Sequence, residues 1–195
     1  MIDSTSIGDP GTFQSLDRLG AAFRSLRPAP RDAGRVVAMV SRGVGGRREL
    51  LERVHLTPES GFPGDAWGRK PQPNPDAQVS VMQAGVARLI ANGQPLALFG
   101  DNLFLDLDLS TSNFPAGSRL RAGGVTLEVT PMPHNGCRKF HARFGEGAIL
   151  FTSKPELRPL NLRGIYMRVV EGGEVAVGDP VVVIRRVTPR SLEPE

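Results

Sequence analysis

The stretch RLRAGGVTLEVT, Arg119 to Thr130, decides the fold. It reads as two short strands, Arg119 to Ala122 and Val125 to Thr130, with glycines between them. β-Branched residues suit a pleated surface, and Thr126, Leu127, Glu128 and Val129 alternate polar and apolar with the two-residue period of a strand. The same pattern recurs on both sides. Upstream, Val36 to Val40 is followed by Gly43, Gly45 and Gly46, which suggest a hairpin turn into Glu49 to Val54. Further short strands are predicted at Val79 to Met82, Asn102 to Leu107, Gly164 to Val170 and Val181 to Val187. Within the last, Val181 to Ile184 is continuously apolar and suits burial on both faces. Short strands separated by glycine turns predict a mostly β domain that closes into a β-barrel over residues 34–187. The 23 glycines and 17 prolines fit a chain of many turns, and 195 residues suit one main domain with a sizeable core.

Helices are few in this reading. Phe13, Leu16, Leu19, Ala22, Phe23 and Leu26 fall at spacings of three and four, so Thr12 to Leu26 is predicted as an amphipathic N-terminal helix outside the barrel. Pro28 and Pro30 then make a linker. The expected organisation is helix and linker over 1–33, barrel over 34–187 and a C-terminal tail over 188–195. Gly61 to Asp76, with four prolines and three glycines, reads as a long surface loop, the kind of segment that often carries function. Gly85 to Asn92 is expected to form a helical turn or two.

No apolar run approaches the roughly 20 residues that span a bilayer, and MIDSTSIGDP lacks the regions of a signal peptide, so a soluble, cytoplasmic protein with no membrane partner is expected. The formal charge is +4, but Arg and Lys are interleaved with acids from Gly34 onward, which argues against nucleic acid as a partner. One cysteine excludes an internal disulfide. Cys137 is therefore either a small buried residue or a chemical group.

Its surroundings favour chemistry. After the strand ending at Thr130 come Pro131, Met132, Pro133, His134, Asn135, Gly136, Cys137, Arg138, Lys139 and Phe140. Arg138 and Lys139 flank the thiol, and His134 and His141 are close in sequence, a field that favours the thiolate, which is both nucleophile and metal ligand. A zinc site would draw on Cys137, His55, His134 and His141, but no standard ligand spacing supports it. A Cys-His hydrolase would need His134 or His141 within reach of the thiol, and no familiar nucleophile signature surrounds Cys137. Elsewhere, Asp101 and Asn102 read as turn residues opening a strand, Asp65 as a turn carboxylate beside Arg69 and Lys70, and Arg163 as a fork of donors suited to phosphate or to an ion pair.

The segment PHNGCRKFHARFG, Pro133 to Gly145, resembles the cysteine loop of small bacterial MOSC domain proteins, in which a histidine, a glycine, the cysteine, an aromatic and an Arg-Phe-Gly run recur together. Three further blocks agree in order and spacing: GFPGDAW at Gly61 to Trp67, FGDNLFL at Phe99 to Leu105, and LRGIYMRVVEGGEVAVGDPV at Leu162 to Val181. The sequence departs from the pattern at Ala66 and Trp67, where many members carry a basic residue or histidine, and at Asp101, where they carry glutamate. The family is named for the C-terminal domain of molybdenum-cofactor sulfurases. The resemblance implies a MOSC-type β-barrel, a molybdenum-pterin cofactor, and Cys137 as the catalytic group and metal ligand. It also implies Asp101, Asn102, His134, Arg138, Lys139 and Arg163 as candidates to hold the cofactor. Two versions follow: reduction of N-hydroxylated small molecules at the metal, served by a redox partner protein, or persulfide transfer from a sulfur-donor protein. Pyridoxal phosphate is not expected, because the chain has no room for the aminotransferase-like sulfurase domain. The alternative is a non-catalytic binding or regulatory module. The Gly61 to Asp76 loop, the Gly100 to Asn102 turn and the cysteine loop are expected to converge at one end of the barrel.

Overall fold

In the computed structural model, which describes residues 2–3 and 5–188, chain order is α1 (Leu16–Arg24), β1 (Ala33–Arg42), β2 (Arg48–Leu50), β3 (Arg53–Leu56), β4 (Val79–Gln83), α2 (Ala84–Ala91), β5 (Leu103–Leu105), β6 (Arg119–Ala122), β7 (Val125–Val129), α3 (Arg138–Ser153), β8 (Ile165–Glu171), β9 (Gly173–Ala176) and β10 (Pro180–Arg185). Among the described residues, seven strands close into a barrel in the order β1, β5, β4, β8, β7, β6, β10. Closure is made by β10 returning antiparallel to β1, with Val182 opposite Ala33. β4 and β5 run parallel and the other barrel pairs antiparallel. The far end of β1 continues past the barrel into a hairpin with β2, Val40 opposite Leu50, as the glycines at 43, 45 and 46 predict, but the expected strand Glu49 to Val54 breaks after Leu50, and Val54 belongs to β3, where it faces Val175. β3 and β9 form a separate two-stranded ribbon.

Two apolar layers hold these elements. The barrel lumen is filled by alternate strand residues, among them Met39, Val81, Leu103, Leu120, Leu127, Met167 and Val181. The second layer lies between the barrel wall and the helices, where Val40, Met82 and Phe104 meet Leu19 of α1, Ile90 of α2 and Phe140, Phe144 and Phe151 of α3. Phe99 stacks on Phe144 with ring centroids 4.0 Å apart, and Phe23 meets Phe151 edge-on at 5.7 Å. No helix among the described residues is long and apolar enough to cross a membrane.

Several expectations change. The N-terminal helix begins at Leu16, not Thr12, because Ser15 is the N-cap and accepts a hydrogen bond from the Arg18 amide, while Pro10–Thr12 forms a separate 3-10 turn. The continuous run Val181 to Ile184 is not buried on both faces: Val182 and Ile184 are 43% and 45% exposed while Val181 faces the lumen. The helices cover a different side of the barrel. On β7 even the outward positions are buried, since Thr126 donates to Glu171 and Glu128 is clasped by Arg119 and Arg168 at 2.7 and 2.5 Å. The segment after Cys137, read as loop, is the 16-residue α3, kinked at Gly145. Residues 189–195, most of the expected tail, lie outside the described residues.

Candidate functional site

One end of the barrel carries a cavity of about 340 Å³. Larger spaces open beside α1, such as one of about 570 Å³ among Phe23, Phe151 and Leu157, but their lining holds no thiol. The barrel-end cavity does: Cys137 lies at its mouth with Asn135 and Lys139, and the thiol residue is exposed.

The floor is built from Asp101, just before β5, Arg163, just before β8, and His134 on the segment leading to α3. Arg163 Nη1 donates to Asp101 Oδ2 at 2.8 Å, and both side chains are buried. The guanidinium also lies over the Phe140 ring, 4.8 Å from its centroid, a cation–π contact that fixes its plane. His134 Nε2 stands 3.4 Å from Asp101 Oδ1, and the imidazole packs on Tyr166 with centroids 4.3 Å apart. Gly164 makes room for this arrangement. Its φ is +102°, and a Cβ there would overlap the Val81 carbonyl oxygen and come within 3.1 Å of His134 Nδ1.

Burial, reinforced by the charge of Arg163, brings the His134 pKa down to about 3, so the ring is neutral at ordinary pH. Burial alone would push Asp101 up, but the adjacent Arg163 outweighs it and holds the carboxyl below its usual range. Asp101 Oδ1, His134 Nδ1, Arg163 Nε and Arg48 Nε are buried polar atoms with no hydrogen-bond partner in the protein.

Beside the floor a second network fixes the rim. Asp65, from the Gly61 to Asp76 loop, pairs with Arg42 at the end of β1, not with Arg69 or Lys70. Arg42 Nη2 and Nε reach its two oxygens at 2.6 and 3.0 Å, and the Arg42 and Trp67 amides donate to it as well. Arg69 instead caps the carbonyls of Arg42 and Gly43. Burial pushes the Asp65 carboxyl up, and the stronger hydrogen bonds and charge of Arg42 bring it below its usual range. Asn102 is the rivet: its amide bonds Ser80, Asp65, Arg42 and the Val40 carbonyl. Asn102 does not line the cavity. It is wholly committed to holding β1, β4 and the loop together.

Five cations, Arg42, Arg48, Lys139, Arg143 and Arg163, line the cavity against one carboxylate, Asp101. Burial, then repulsion by Arg143 and Arg42, lowers the Arg48 pKa, and burial lowers that of Arg143. These arginines come from β2 and α3, far apart in sequence. Sequence reading singled out neither as a ligand contact, although Arg143 belongs to the Arg-Phe-Gly run.

Cys137 is the N-cap residue of α3, with extended backbone at φ −126°, and its carbonyl accepts from the His141 amide. The helix sorts its neighbours by phase. Lys139, Phe140 and Arg143 turn toward the cavity, while Arg138 and His141 are exposed and absent from its lining. The charge in Coulombic range of the thiol thus includes Arg143, and His134 is buried and neutral. His55 lies on the β3–β9 ribbon opposite Glu174, away from the other histidines. Among the described residues no group of three or more His, Cys, Asp or Glu side chains is placed to hold a metal ion. A metal here would take one protein sulfur and owe its other ligands to a cofactor.

A search of curated proteins gives no significant match. Among solved structures, the chain is similar to the YuaD protein of Bacillus subtilis, at TM-score 0.58 and 15% identity, covering 79% of this chain and 97% of that one. It is also similar to YiiM of Escherichia coli, at TM-score 0.51 and 22% identity, covering 79% and 71%. YiiM of Geobacillus stearothermophilus gives 0.50 and 17%, covering 83% and 78%. At these identities the likeness is one of fold. Residues 62–182, which carry the Asp65 loop, Asp101, Cys137 and Arg163, match the model of the MOSC domain, and the chain belongs to that family.

Proposed function

We propose that this protein binds a phosphate-bearing molybdenum-pterin cofactor and offers Cys137 as the protein sulfur ligand to the metal. The observation that carries the reading is the cavity itself, five cations around a single carboxylate with an exposed thiol at its mouth. The residues fit such a group. Arg48 Nε and Arg163 Nε are buried donors lacking protein partners, and arginine forks match phosphate oxygens. The thiolate is a soft ligand suited to a metal whose remaining ligands are sulfurs of a pterin. Family membership supports the same choice, since MOSC domains are associated with molybdenum-cofactor proteins.

In this reading Arg48, Arg143 and Lys139 hold the anionic end, and Phe99 and Phe140 give an apolar wall. When bound, the cofactor supplies a metal able to take an oxygen atom from an N-hydroxylated small molecule, with electrons from a redox partner protein. Arg163 and Asp101 form a fixed dipole on the floor, and neutral His134 presents an imidazole whose Nδ1 has no protein partner.

The test is metal analysis and native mass spectrometry of protein made in a cofactor-competent host. About one molybdenum per chain, lost or weakened in Cys137→Ser, supports the reading; a chain free of molybdenum and pterin sinks it. The exposure of Cys137 favours a second version, persulfide transfer from a sulfur-donor protein. In that case the chain gains the mass of one sulfur atom at Cys137 after incubation with a cysteine desulfurase, and holds no metal.

A further inference from the structure

Residues 2–3 and 5–9 lie outside the stretch that matches the family, yet they bond the backbone amide of Arg48 and the guanidinium of Arg143, two arginines of the cavity wall. The Ile2 carbonyl accepts from the Arg48 amide at 2.7 Å, so the segment runs along the free edge of β2. The carbonyls of Asp3 and Ser6 accept from Arg143 Nη2 and Nε at 3.2 and 3.1 Å, while the Leu98 carbonyl takes Nη1 from the other side at 2.8 Å. The Gly8 amide donates to the Ala142 carbonyl at 3.1 Å, and a Cβ at Gly8 would overlap the Arg143 carbonyl oxygen. The segment therefore lies backbone to backbone on α3, which only glycine allows at that point.

The turn that presents those carbonyls is itself stapled. Asp3 Oδ1 accepts from the Thr5 amide, the Thr5 hydroxyl and the Ser6 amide at 2.8, 2.7 and 3.0 Å, and the Asp3 amide donates to Ser6 Oγ at 2.9 Å. Gln94 ties the end down, accepting from the Asp9 amide and donating to the Arg143 carbonyl.

We infer that residues 2–3 and 5–8 are a positioning strap, which aims the Arg143 guanidinium into the cavity and thereby sets its affinity for phosphate-bearing ligands; this rests on the reading of the cavity as an anion site. An arginine side chain loses much rotamer freedom when it grips an anion, and a scaffold that has already fixed it removes that loss from the binding step. Backbone carbonyls hold the guanidinium plane with partial charges, and the Asp3 carboxylate, whose Oδ1 is taken up by the Thr5 and Ser6 donors, is the one full negative charge of the strap in range of Arg143. The strap thus makes the N-terminal segment part of the binding site without touching the ligand.

The experiment measures binding of inorganic pyrophosphate to the full chain by calorimetry. Gly8→Val lifts the strap from α3 and Asp3→Ala releases its turn, while Asp3→Asn keeps a side-chain acceptor. Gly8→Val is expected to weaken pyrophosphate binding about ten-fold, the scale of one charge-assisted hydrogen bond lost. Asp3→Ala weakens it less, and Asp3→Asn restores most of the loss. Adding Arg143→Ala to Gly8→Val costs less than Arg143→Ala alone, because the two act through one group. If wild type binds pyrophosphate and both strap variants bind it equally well, while hydrogen exchange at the backbone amide of residue 8 shows the segment released, the strap has no such role. If wild type binds no pyrophosphate, the anion-site reading fails and the strap's role falls with it.

Discussion

Acidification from pH 7 to pH 5 should weaken the fold through His134 alone by about 2 kcal/mol. The folded ring has its pKa near 3, against 6.5 for an unperturbed histidine, because it is buried beside Arg163. The folded pKa is depressed, so the unfolded chain takes up the proton first; stability is full above pH 6.5 and is lost as pH falls toward the folded value. From 6.5 to 5 is 1.5 pH units, and each unit corresponds to about 1.4 kcal/mol, which gives about 2 kcal/mol. At pH 5 the result depends on the unfolded value once the folded one lies below about 4. Asp65 and Asp101, whose ordinary value is 3.8, contribute only at lower pH. The assay is urea unfolding at pH 7 and pH 5 for wild type and His134→Gln, which occupies similar space without titrating. His55 and His141 remain in both proteins and cancel. The stability difference between the two pH values should shrink by about 2 kcal/mol in the variant. Equal pH dependence in both proteins, or an imidazole resonance of His134 that titrates near pH 6.5 in the native state, would refute the buried, neutral assignment.

Phe144→Ala removes the ring stacked on Phe99 at the junction of α3 with the barrel, and should cost about 3–5 kcal/mol in denaturant unfolding. Arg163→Leu strands the buried Asp101 carboxylate, with an expected loss of about 3–5 kcal/mol at pH 7, and Asp101→Asn in the same chain should recover part of it. Asn102→Ala leaves Ser80, Asp65 and Arg42 short of a partner and should cost about 2–3 kcal/mol; limited proteolysis should then cut sooner within the Gly61 to Asp76 loop.

The barrel was legible because its strands are short, β-branched and fenced by glycines, and the β1–β2 hairpin follows directly from three glycines in four positions. The burial of individual strand faces was not. Val181 to Ile184 looks like a strand covered on both sides, yet its outer residues are open; Glu128 looks like an outward residue, yet Arg119 and Arg168 cover it. Local period says which residues share a face, but what packs against that face depends on elements distant in sequence. α3 is a different kind of miss. Its buried residues Phe140, Phe144, Ala148 and Phe151 are spaced by four, four and three, a helical signal that the prolines before Cys137 and the glycines at 145 and 147 obscured.

That miss also misplaced the charge around the thiol. In a loop, Arg138 and Lys139 would be equal candidates to face Cys137 by virtue of adjacency. In a helix starting at Arg138, the inward face runs through Lys139, Phe140 and Arg143, so the residue next to the cysteine points away and one five positions further on points in. Asp101 and Arg163 were nameable because they sit beside turn glycines in recognisable blocks, and the fold joins them by a 2.8 Å ion pair across 62 positions of sequence. Arg42 and Arg48 had no such marker. They are ordinary basic residues of a hairpin until barrel closure sets that hairpin beside the N-terminus of α3. The cationic character of the cavity is therefore a property of the topology: residues from β1, β2, α3 and the start of β8 add their charges only where these elements meet, while the thiol at its mouth could be read from one residue.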